Sequence, residues 1–116
     1  YLFHNFCGLD VYSADLQDEP NAWTAITKKD GRILLQEIPT EKHNTSALLL
    51  SWIDYESLGI ELLDLFKGQI VISIGNYEER SPNYISRLNL LFNCIEKYKL
   101  IMPWGLTEKI EIYKRL

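Results

Sequence analysis

Only two of the 116 residues are cysteine, Cys7 and Cys94, and they stand far apart in apolar surroundings. That scarcity excludes a disulfide framework. Both read as buried, reduced thiols of an intracellular, cytoplasmic protein. Cys-x-x-Cys is absent, and His4 and His43 have no partner at helical spacing, so no metal pattern is present. His43 falls in a polar stretch and reads as a loop histidine without a partner. No apolar run reaches the roughly 18 residues that span a bilayer, and no signal-peptide pattern is visible, so no membrane attachment is expected. Positive charge is sparse: 12 Lys and Arg face 16 Asp and Glu, for a net charge of −4. The longest basic clusters are the pairs Lys28-Lys29 and Lys114-Arg115. Duplex binders draw most of their affinity from a basic stripe that neutralises phosphates, so direct nucleic-acid binding is not expected. There is no Gly-x-Gly-x-x-Gly, no Walker loop and no Ser/His/Asp arrangement. Hydrolase and nucleotide-triphosphatase readings therefore have no positive support.

What remains is ordinary globular material, 47% hydrophobic and 24% charged, enough at this length for one domain with a single core. Residues 1–8 are apolar and end on Gly8, as a helix C-terminus does. Residues 9–16 read as a short strand with Asp15 at its end, residues 17–21 as a loop, and residues 22–27 as a further strand before the turn Lys28-Lys29-Asp30-Gly31. Residues 32–38 fit helix or strand equally well, and residues 41–45 form a polar break.

The later part of the chain is clearer. Residues 47–52 (Ala-Leu-Leu-Leu-Ser-Trp) form a continuous apolar run, as in a strand buried on both faces. Residues 57–66 carry the apolar stripe Leu58, Leu62, Leu63, Leu65 and Phe66, which predicts an amphipathic helix stopped by Gly68. Residues 69–74 (Gln-Ile-Val-Ile-Ser-Ile) are rich in β-branched side chains, a second buried strand ending at Gly75-Asn76. Pro82, placed just after Ser81, starts a helix that the stripe Ile85, Leu88, Leu91, Phe92 and Ile95 extends to about Tyr98. Residues 99–103 read as a short strand, residues 104–107 as a turn, and residues 108–114 alternate as a strand with one wet face does. Strand, helix, strand, helix, strand, turn, strand implies a mostly parallel α/β sheet with right-handed crossovers. Its final strand is expected to run antiparallel, between residues 69–74 and residues 99–102.

That order, with its closing hairpin, resembles the second half of the class I S-adenosylmethionine-dependent methyltransferase fold, a Rossmann-like sheet with helices on both faces. The local sequences resemble that family's landmarks. Leu9–Asp15 (Leu-Asp-Val-Tyr-Ser-Ala-Asp) is similar to its second strand, whose terminal acid holds the cofactor ribose; a carboxylate accepts two hydrogen bonds from a diol. Lys29-Asp30-Gly31 resembles the turn where an acidic side chain meets the adenine amine. Leu-Leu-Leu-Ser-Trp-Ile-Asp-Tyr, residues 48–55, resembles the fourth strand and its motif, with Ile53-Asp54 standing where the family carries Pro-Pro. Ala14-Asp15, Asn21-Ala22-Trp23, Ile74-Gly75-Asn76 and the closing Ile112-Tyr113-Lys114-Arg115 complete a pattern similar to methyltransferase-like proteins. The resemblance covers the portion after the Gly-rich loop, so one domain over residues 1–116, without the first strand and that loop, is expected.

The resemblance implies S-adenosylmethionine as cofactor, held by Asp15, Asp30, Ser51 and Trp52, with Asp54 and Tyr55 positioning the nucleophile of a methyl acceptor. Each residue also has a plainer role. Asp15 suits a solvated strand end, Asp30 an ordinary turn, Trp52 packing beneath the following helix, and Asp54 the N-cap of that helix. Two functions follow: a methyltransferase acting on an unknown acceptor, or a non-catalytic methyltransferase-like module that binds a protein partner in a larger assembly. A flavodoxin-like regulator is a third reading, and it would end on a parallel edge strand followed by a helix.

Overall fold

The computed structural model describes residues 8–15, 27–51, 56–75, 81–101 and 107–116. The chain divides into two compact units, Tyr1–Glu37 and Ile38–Leu116. In the first, β1 (Ala14–Asp15) pairs in parallel with β2 (Thr27–Lys28), and α1 (Gly31–Glu37) follows. Residues 32–38, which suited helix or strand, are thus mainly helical. Asp30 initiates that helix: its carbonyl accepts from the Ile33 and Leu34 amides, and its carboxylate accepts from the Arg32 amide at 2.8 Å. The strand expected over residues 9–16 is corrected: residues 9–13 are not strand, with Leu9, Val11 and Tyr12 exposed, and only Ala14–Asp15 pairs. Of the strand expected over residues 22–27 only Thr27 is described, in β2, and residues 1–7 and 16–26 lie outside the described residues.

The second unit holds α2 (Thr40–His43), β3 (Ala47–Ser51), α3 (Glu56–Leu65), β4 (Ile70–Gly75), α4 (Pro82–Leu91), β5 (Phe92–Ile101) and β6 (Thr107–Arg115). Its sheet is four-stranded and mixed, in the order β3-β4-β6-β5. β3 pairs with β4 in parallel, Ala47 opposite Ile70 through Ser51 opposite Ile74. β6 runs antiparallel to both neighbours, with Ile72 opposite Ile112 on one side and Tyr98 opposite Ile110 on the other. The architecture is therefore α/β, with the final strand inserted between β4 and β5 as its hairpin ending implied.

One face of this sheet carries the core. Leu50, Val71, Ser73, Phe92, Glu111 and Tyr113 are buried on it by strand register, beneath Leu62, Leu63 and Phe66 of the α3 region and Tyr84 and Leu88 of α4. α3 and α4 are tied by the Arg87–Asp64 ion pair at 2.7 Å, and Tyr84 Oη lies 3.5 Å from Ser73 Oγ. Ser81 caps α4, its hydroxyl accepting from the Asn83 amide at 3.2 Å, with proline in the first turn.

Several expectations are corrected. The helix after Pro82 ends at Leu91, and residues 92–98 are strand. Asn93, Cys94 and Tyr98 favour helix weakly, and pairing along nearly the whole of β5, with Ile95 at its one irregularity, overrides the stripe. β3 is not buried on both faces: Leu50 is buried, but Ala47, Leu49 and Ser51 are exposed. Nor does β6 divide into one wet and one dry face, because Glu111 and Tyr113 are buried on one face and Glu108 on the other. Cys94 is free but half-buried, its thiol 3.6 Å from the Glu96 carbonyl. Residues 41–45 include the short helix α2 rather than a plain break. His43, far from lacking a partner, is buried: Nδ1 accepts from the Lys67 amide at 3.0 Å, Nε2 lies 3.2 Å from the Ile38 carbonyl, and the ring stacks on Phe66.

Candidate functional site at the carboxyl rim

Parallel strands present their carboxyl ends on one rim, where α/β sheets commonly bind ligands. In the larger unit that rim is built from Ser51, the last residue of β3, and Gly75, the last of β4. Because β6 is antiparallel, its first residues arrive at the same rim, with Lys109 opposite Gly75. Gly75 has φ 155°, a region other residues rarely adopt, and a methyl group there would meet nothing within 4 Å. Ser51 is exposed. Trp52, Asp54 and Tyr55 lie outside the described residues.

Next to Lys109 stands Glu108, only 2% exposed, with neither carboxylate oxygen hydrogen-bonded among the described residues. Its strand neighbour on β5 is Leu100, and Ile110 follows two residues on along the same face. A buried carboxylate without a partner costs several kcal/mol relative to water. Sequence reasoning passed over Glu108, the first residue of the alternating run, although period two sets it on the face of Ile110 and Ile112. Glu111, on the opposite face, has its place explained by the Tyr113 hydroxyl, which donates to it at 2.7 Å.

In the smaller unit, Asp15 ends β1 and pairs with Lys28, and Asp30 lies two residues past β2, so the two follow the carboxyl ends of adjacent parallel strands. The Asp30 carboxylate, however, is engaged: the Arg32 guanidinium donates to both oxygens from Nε at 3.0 and 3.1 Å, and the Arg32 amide takes one of them as well. This hydrogen bonding from Arg32 holds the Asp30 carboxyl below its ordinary value of 3.8. Lys29 is likewise bound to Glu37, at 2.7 Å.

Among the described residues no group of three or more His, Cys, Asp or Glu is placed to hold a metal ion. No helix among them is long and apolar enough to cross a membrane. No model of a known protein family matches the chain, and no curated protein matches it.

Proposed function

We propose that this chain is a Rossmann-like, methyltransferase-like domain that binds S-adenosylmethionine and transfers the methyl group to an acceptor in the cytoplasm. The observation that carries the reading is the strand order β3-β4-β6-β5, with a last strand antiparallel to both neighbours. A flavodoxin-like winding ends on a parallel edge strand instead. In the smaller unit, Asp15 ends β1 and Asp30 follows β2, a parallel pair.

The chemistry asks little of side chains. Methyl transfer is an in-line displacement at a sulfonium, accelerated chiefly by holding nucleophile and methyl carbon in line, and a general base is not obligatory. Asp15 accepts from the ribose hydroxyls. Ser51 and Trp52 flank the cofactor, and Asp54 and Tyr55 orient the acceptor.

A specific observation favours the second reading, a non-catalytic module for a protein partner. Arg32 already occupies both oxygens of Asp30, leaving that carboxylate little capacity for an adenine amine. Calorimetry with S-adenosylmethionine on the intact protein separates the two. Loss of a charged acceptor costs about 1.5–3 kcal/mol, so Asp15→Ala should weaken binding by roughly tenfold to a hundredfold. Absence of binding by the native protein moves the assignment to the module, and undiminished binding by Asp15→Ala discards Asp15 as the ribose ligand.

A further inference from the structure

β5 is the edge strand of the larger sheet, ten residues long, and from Glu96 onward every residue is exposed. An edge strand carries a row of outward amide and carbonyl groups with no strand to pair with, which is a template for a further strand. The irregularity in its ladder lies between Cys94 and Glu96, so residues 96–101 pair with β6 without a break, from Glu96 opposite Ile112 to Ile101 opposite Thr107. Among the described residues no strand pairs with the outer side of that stretch.

Its two faces differ in chemistry. One presents Lys97 and Lys99, both exposed and neither in an ion pair among the described residues. Lys99 stands directly opposite Lys109 of β6. The other face presents Tyr98, 51% exposed, and Leu100, 39% exposed. The Tyr98 hydroxyl donates to Glu96, so the one acid on that face is already engaged.

We propose that residues 96–101 of β5 are a docking edge to which an extended segment of a partner protein adds as a further strand, with acidic side chains beside Lys97 and Lys99 and apolar ones beside Tyr98 and Leu100. Strand addition takes its affinity from main-chain hydrogen bonds and its selectivity from alternate side chains. The charge pattern argues against a second copy of this chain. Antiparallel self-pairing centred on Lys97, Tyr98 or Lys99 sets lysine against lysine in each case, and like charges across a ladder repel. The proposal is independent of methyl transfer.

The test uses the full chain and a fluorescein-labelled peptide of alternating Glu and Val, compared with its Lys-Val counterpart. The acidic peptide should bind at least about tenfold more tightly, through complementary charge. Double reversal, Lys97→Glu with Lys99→Glu, should invert that preference; both residues are exposed, and an unchanged denaturation midpoint verifies the fold. N-methylation of alternate peptide amides should abolish binding, and amide exchange at residues 96–101 should slow only with the unmethylated peptide. Equal binding of both peptides, indifference to N-methylation, or equal displacement by single-stranded oligothymidylate would overturn the proposal. So would sedimentation showing that the chain self-associates through this edge.

Discussion

Arg115, the penultimate residue, should hold the end of α3 to the sheet. Its Nη2 donates to the Phe66 carbonyl at 2.6 Å and its Nε to the Gly68 carbonyl at 2.8 Å. The guanidinium carbon lies 4.6 Å from the centroid of the buried Phe92 ring, and the Arg115 amide donates to the Gln69 carbonyl at 2.8 Å. The side chain thus supplies a cation to carbonyls just past a helix C-terminus, where positive charge is favoured. Each hydrogen bond from a charged donor contributes about 1.5–3 kcal/mol, and the ring contact about 0.5–2 kcal/mol. Arg115 is half-buried, so water replaces part of what is lost, and Arg115→Ala should cost about 3 kcal/mol. At this size that lowers the melting temperature by roughly 12 °C. Arg115→Lys keeps the charge but not the planar fork, and should lose about half as much. Urea denaturation of the two variants beside the native chain measures both. If Arg115→Ala falls within about 0.5 kcal/mol of native, in the range of ordinary surface changes, the reasoning fails.

Three further outcomes are expected. Gly68→Ala places a methyl carbon 2.2 Å from the His43 carbonyl oxygen and 2.4 Å from the Phe66 ring; overpacking of that kind costs about 1–3 kcal/mol, and an unchanged urea midpoint would count against the packing described. Glu108→Met removes a buried carboxylate without a partner and should stabilise the fold by about 1–3 kcal/mol, so a clear loss of stability would show that Glu108 is satisfied by a contact of its own. Asp30 has a folded-state value below its ordinary 3.8, so its contribution is complete above that value and disappears as pH falls through the lower, folded one. Carbon-detected titration should therefore find Asp30 ionised below pH 3.8, with Arg32→Met returning it to the ordinary range; an ordinary midpoint in the native chain would contradict the Arg32 pairing.

Patterns of neighbouring residues were enough to determine much of the larger unit. The apolar run of residues 47–52, the β-branched run of residues 69–74 and the helical stripe between them imply a parallel crossover, since such strands need a helix to return. The short turn before an alternating final strand implied its antiparallel course, because only a hairpin closes so tightly. The end of α4 was a different matter. Phe92 and Ile95 fit the helical stripe, but Phe92 pairs with Arg115 and Ile95 falls at the irregularity of the ladder, so pairing with residues more than ten positions away overrode the stripe. His43 shows the same limit: its polar neighbours in sequence concealed a buried imidazole, whose partners Lys67 and Phe66 arrive through α3. Periodicity records which side of an element is apolar, but not whether anything covers it. Only the assembled sheet exposed Leu49 and the length of β5, and only it buried Glu108 at the rim beside Gly75, because burial is a property of what packs against a residue rather than of the residue itself.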